Sequence, residues 1–166
     1  VGMVTDALWS DFNSDGKDDL ILVGEWMEPK FFQNTSIGLQ KVSILEEEKA
    51  LKGLWRNIHP FDIDNDGDMD YLLGNWGSNF KFKANSNAPM QMYFSDFDDN
   101  GRTETIVTTQ KNGKQYPLLG LDELSSQIVS LRKTFVNYKD FAGKPIDALF
   151  EKSVLDKATL LEVTEL

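Results

Sequence analysis

The sequence predicts a mainly β protein that becomes largely helical after Gly120. Three observations predict it. An acidic, glycine-containing loop recurs three times along the chain. Each copy stands between short apolar or β-branched runs, which read as strands when turn residues bound them. Beyond Gly120 the apolar residues fall three and four apart, the period of a helix.

The chain has 166 residues, enough for one domain with a real core. Twenty-seven acids face 17 bases, a formal charge of -10. Such a surface repels a phosphate backbone, so nucleic acid is excluded as a partner, and it suits cations. The absence of cysteine excludes disulfides, thiolate metal sites and cysteine nucleophiles. No apolar run approaches the roughly 20 residues of a membrane span. No signal peptide is visible at Val1, where the sequence opens into a strand-like stretch, and it reads as a piece of a longer protein.

The acids are grouped. The loops run Asp11 to Asp19, Asp62 to Asp70 and Asp96 to Glu104, and all read D-x-[DN]-x-[DN]-G-x-x-[DE]. Strand-like runs precede them at Ala7 to Trp9, Trp55 to Phe61 and Met90 to Phe94. Others follow at Leu20 to Val23, Tyr71 to Leu73 and Thr105 to Thr108. Lys30 to Gln33 and Leu39 to Ile44 predict two more strands, and Asn85 to Pro89 a loop. Asn112-Gly113 between two such runs signals a tight hairpin. Leu121, Leu124, Ile128, Leu131 and Phe135 predict one helix with Asp122 as its N-cap. A second helix is expected from Pro145 through Phe150, and Lys157 to Glu165 fits helix or strand.

The loop chemistry points to calcium. A hard cation of this size takes six to eight oxygens. Oxygen-bearing residues stand at loop positions 1, 3, 5 and 9, and glycine at position 6 permits the turn. Position 7 ordinarily offers a backbone carbonyl, so its side chain is free to vary, here Lys17, Asp68 and Arg102. An EF-hand needs a glutamate at position 12, where this chain has Leu22, Leu73 and Val107. The competing reading is three solvated acidic turns. Three such loops in register oppose it, because clustered carboxylates repel one another without a cation.

These motifs resemble the FG-GAP/VCBS repeats of integrin-α-like β-propellers. Gly53-Leu-Trp55-Arg-Asn-Ile58 before the second loop, and Gly74-Asn75-Trp-Gly77 after it, are similar to bacterial VCBS proteins of the acidic-cartilage (ASPIC/UnbV) type. The resemblance covers residues 1–120 and implies a partial propeller of about three blades, with the helical segment 121–166 packed on it or inserted in it. It implies up to three Ca²⁺ ions. Their ligands would be Asp11, Asn13, Asp15 and Asp19; Asp62, Asp64, Asp66 and Asp70; and Asp96, Asp98, Asn100 and Glu104. Lys17, Asp68 and Arg102 would add backbone carbonyls.

Other residues are read as structural. Trp9, Trp26, Trp55 and Trp76 are expected to pack in the core or between blades, with sugar stacking as the alternative. His59 is expected to pack, and Glu46 to Glu48 to form a solvated loop. Asn34-Thr-Ser36 matches a glycosylation sequon that a bacterial protein does not use. With no nucleophile–base pair and no phosphate loop, the expected function is a non-catalytic, calcium-stabilised adhesion module. It would sit outside the cell or in the envelope, on a bacterial surface, and bind a protein or glycan. The alternative is an accessory or catalytic part of a polysaccharide-active enzyme. An open propeller end would leave strands such as Leu20 to Val23 near an unpaired surface, covered by the helical segment or by self-association.

The second loop places four aspartates at the side-chain positions, one acid more than either neighbour. Asp66→Ala should therefore cost more calcium affinity than Asn100→Ala. Titration calorimetry on the two variants gives the order directly.

Overall fold

The computed structural model describes residues 2–44 and 51–166, so Glu46 to Glu48 lie outside the described residues. The chain is mainly β, with antiparallel sheets that do not close. It forms two compact units, Val1–Lys81 with Val163–Leu166, and Phe82–Glu162. The second is thus an insertion within the first.

The first unit contains β1 (Met3–Ser10), β2 (Asp19–Met27), β3 (Lys30–Thr35), β4 (Gly38–Val42), β5 (Gly53–Phe61) and β6 (Asp70–Asn75). Strands β1 to β4 each pair antiparallel with the next, β2 also meets β5 through Glu25 and Leu54, and β5 pairs with β6. Alternation explains β2: Ile21 and Val23 are fully buried, while Leu20 and Leu22 in the opposite phase are half-buried. Ile21, Val23, Trp55 and Ile58 form the core, with Leu8, Phe12, Phe31, Tyr71 and Leu73 packed against it. Ile21 and Val23 of the Leu20 to Val23 run are thus covered by the unit's own core, while Leu20 and Leu22 are only half-buried.

The glycines of the two Gly-x-Trp sequences that follow an acidic loop, Gly24-Glu-Trp26 and Gly74-Asn-Trp76, have a steric reason. Gly24 and Gly74 lie beside bulges in the β1–β2 and β5–β6 pairings. A Cβ on Gly24 would stand 2.0 Å from the Met3 carbonyl oxygen, and one on Gly74 2.2 Å from Asn57 Oδ1. The tryptophans that follow are not core residues. Trp26 is half-buried, Trp76 is exposed with its ring edge-on to Phe80 at 4.3 Å, and Trp9 is 56% exposed. Only Trp55 is buried, its indole N–H donating to the Leu51 carbonyl at 3.0 Å. His59 is exposed too, opposite Leu72 on β6, because the buried phase of β5 falls on Ile58.

The second unit contains β7 (Met90–Ser95), β8 (Glu104–Lys111) and β9 (Lys114–Pro117). Helices α1 (Leu121–Gln127), α2 (Ser130–Thr134) and α3 (Tyr138–Phe141) follow. A 3-10 turn (Ile146–Ala148), α4 (Lys152–Leu155) and β10 (Thr159–Val163) complete the order, and the sheet runs β10-β7-β8-β9. Asn112 and Gly113 have φ of 51° and 75°, the two left-handed residues of a type I′ hairpin.

The expected helix from Leu121 to Phe135 is two short helices, because Ile128 leaves helical geometry at φ -112° and ψ 87°. Leu121, Leu124, Ile128, Leu131 and Phe135 are nonetheless all buried, so the spacing reported the buried face correctly. The N-cap is Gly120, not Asp122, and its N–H donates to Glu123 Oε2 at 2.8 Å. From Pro145 only the 3-10 turn forms, and Thr159–Val163 is a strand. The helical residues pack around Ile106 of β8 and Phe97. The change of period at Gly120 therefore lies within the second unit.

Leu124 is fully buried in that cluster. Leu124→Ala should destabilise the protein by about 2–5 kcal/mol, read by chemical denaturation. A loss below about 1 kcal/mol would contradict a packed helical core.

Candidate metal-binding loops

Each acidic loop connects the two strands of an antiparallel hairpin: β1 to β2, β5 to β6, and β7 to β8. The register is the same in all three. The residue before the loop pairs with loop position 9, as Ser10 with Asp19, Phe61 with Asp70, and Ser95 with Glu104. The backbone repeats as well. Position 4 is left-handed at Ser14, Asn65 and Asp99, with φ of 58°, 58° and 55°. Position 6 is left-handed at Gly16, Gly67 and Gly101, with φ of 85°, 96° and 82°. A side chain resists that conformation, which accounts for glycine at position 6.

Hydrogen bonds hold this shape from inside. The Gly16, Gly67 and Gly101 N–H groups donate to Oδ2 of Asp11, Asp62 and Asp96 at 2.7, 3.2 and 2.7 Å. The position 7 amides of Lys17, Asp68 and Arg102 donate to side-chain oxygens of Asp15, Asp66 and Asn100 at 3.0, 2.9 and 2.8 Å. In the second and third loops position 9 closes the ring. Asp70 accepts from the Ile63 N–H and Glu104 from the Phe97 N–H, each at 3.0 Å.

The carboxylates converge in two loops. Asp62, Asp64 and Asp70 each bring one oxygen within 4.8 Å of the others, and Asp96, Asp98 and Glu104 do the same. Among the described residues Asp11, Asp15 and Asp19 make no such group of three. Asp19 Oδ1 instead accepts the Asn34 N–H of β3 at 2.7 Å, a partner that the loop sequence does not contain. Asn34 Nδ2 also donates to the Asp18 carbonyl at 3.0 Å. The β2–β3 register, with Leu20 opposite Phe32, is the signal that brings Asn34 to this loop.

Every loop leaves one buried carboxylate oxygen without a hydrogen-bond partner: Asp19 Oδ2, Asp62 Oδ1 and Asp98 Oδ1. An unpaired buried carboxylate oxygen is costly, and a bound cation would offset that cost. All-oxygen donors on a tight loop fit a hard divalent ion, so the donor set suits calcium chemically.

Residues 11–73 match the model of the FG-GAP-like repeat. This segment is thus similar to an FG-GAP-like repeat. The match runs from the first acidic loop through the second and into β6; the third loop lies beyond it. No curated protein and no solved structure matches the chain. No helix among the described residues is long and apolar enough to cross a membrane.

A Cβ on Gly101 would meet no atom within 4 Å, so only its backbone conformation resists substitution. Gly101→Ala should cost about 1–2 kcal/mol through strain at positive φ. Arg102→Ala, at an exposed position with φ outside that region and with its amide kept, should not reproduce the strain. Thermal melts of both variants in chelator, away from any metal contribution, measure the difference.

Proposed function

We propose that the chain is a calcium-stabilised, non-catalytic interaction module acting outside the cell or in the cell envelope, on a bacterial surface. One observation carries the reading. Three loops share a backbone, a hydrogen-bond frame and a register, and each keeps one buried carboxylate oxygen without a partner. Solvated turns have no reason to bury an unpaired carboxylate oxygen in every copy, here at loop positions 9, 1 and 3. FG-GAP-like repeats are typically extracellular and generally non-catalytic, which supports the same reading. Calcium affinities of roughly 10⁻⁴ to 10⁻³ M suit modules bathed in millimolar calcium.

On this reading β1 to β4 form one propeller blade, β5 and β6 begin a second, and β7 to β9 belong to a third. The ions hold the inter-strand loops in shape for a protein or glycan partner. The glycan reading draws on Trp9 and Trp76, whose exposed indoles offer faces for sugar stacking.

Calcium should raise the melting temperature. A ligand that binds only the native state adds about 2.7 kcal/mol at 100-fold over its Kd. Magnesium, which demands a smaller octahedral site, should restore little of this after chelation. Differential scanning calorimetry in calcium, magnesium and chelator tests it, and identical melts in all three would sink the proposal.

A further inference from the structure

The third loop differs from the other two in what surrounds it. Asp98 Oδ2 accepts the Val129 N–H at 3.1 Å, while Oδ1 is buried without a hydrogen-bond partner. Val129 stands at the break between α1 and α2. The Ile128 N–H before it donates to Leu124, and the Leu131 N–H after it to Ile128. The amide at the break is held by the loop instead.

Phe97, next to Asp98, adds a second tie. Its N–H donates to Glu104 Oε2, inside the loop. Its side chain is buried in the helical core, with its ring 5.1 Å from that of Phe150. At the other loops the position 2 side chain does not reach a helical core: Phe12 packs on Phe31 at 5.6 Å beside the first unit's core, and Ile63 is 69% exposed.

We propose that the third loop couples cation binding to the order of the helical segment, with Asp98 as the shared residue. This rests on the calcium reading of the loops. One oxygen of the carboxylate orients the Val129 amide, and the other is left to face the ion together with Asp96 and Glu104. Fixing that carboxylate fixes the amide and the break it belongs to. By reciprocity, an ordered break raises cation affinity at this loop and leaves the second loop unaffected.

Amide hydrogen exchange at Val129, followed by NMR with calcium and with chelator, tests the coupling. If opening of the break requires release of the ion, calcium at 100-fold over Kd should slow exchange there about 100-fold. Asp98→Asn keeps an acceptor for Val129 but removes a charge. Asp96→Asn weakens the ion without touching Val129. Both should abolish the calcium effect at Val129, while Asp62→Asn should preserve it.

Equilibrium dialysis on the same proteins counts bound calcium and separates the two possible failures. No calcium bound to the wild-type chain overturns the calcium reading and this proposal with it. One ion lost in Asp96→Asn, with wild-type Val129 exchange indifferent to calcium, overturns the coupling alone.

Discussion

The structure depends on a single constraint: a nine-residue turn must reconnect paired strands while its backbone amides find acceptors. Two left-handed positions bend the chain, and they point several N–H groups into the turn. Aspartate at position 1 accepts the glycine amide in every loop, so the acids act first as turn-formers. Position 9 then opens the next strand and sets its phase. In β2 and β8 that residue is on the buried face, ahead of Ile21 and Val23 in one strand and Ile106 and Thr108 in the other. In β6 the phase is reversed, and Asp70 is exposed while Tyr71 and Leu73 turn toward the core. Charge is therefore concentrated in low dielectric at the first and third loops, and in better-solvated surroundings at the second.

The three copies keep their backbone and lose their surroundings. The first sends its position 9 carboxylate to a neighbouring strand, through the Asn34 amide. The second closes on itself. The third is tied through Phe97 and Asp98 to a helical core. Repetition of a motif thus predicts local shape well and says little about what that shape touches.

That distinction accounts for what could be read beforehand. The hairpins, the loops and the Asn112-Gly113 turn were legible because their causes lie within a few residues. The buried face of 121–135 was legible too, since periodicity reports which side chains are covered. The break at Ile128 was not, because the same residues stay buried whether the backbone between them is continuous or broken. Exposure of Trp9 and His59 was missed because aromatic character favours burial on average, whereas strand phase decides each case. Val129 contributes to the third loop only through its main chain, so no residue type could announce it. Asn34 required the register of a hairpin beyond the loop itself.

The nesting of one unit inside the other has a consequence for how the chain folds. Residues 82–162 are contiguous and carry their own core. The first unit also takes in Val163–Leu166, where Glu165 reaches back to Gly53 as a parallel bridge partner. There the Thr164 and Glu165 amides donate to the Lys52 carbonyl, and Asn75 Nδ2 donates to the Glu165 carbonyl. Joining such distant positions carries a loop-closure entropy that a continuous unit avoids, and non-local pairings of this kind slow folding. Emerging from a ribosome, the inserted unit has all its residues available before the enclosing one does. No single cut in the chain yields both units whole, so fragments made at Lys81 separate the first unit from its own residues Val163–Leu166.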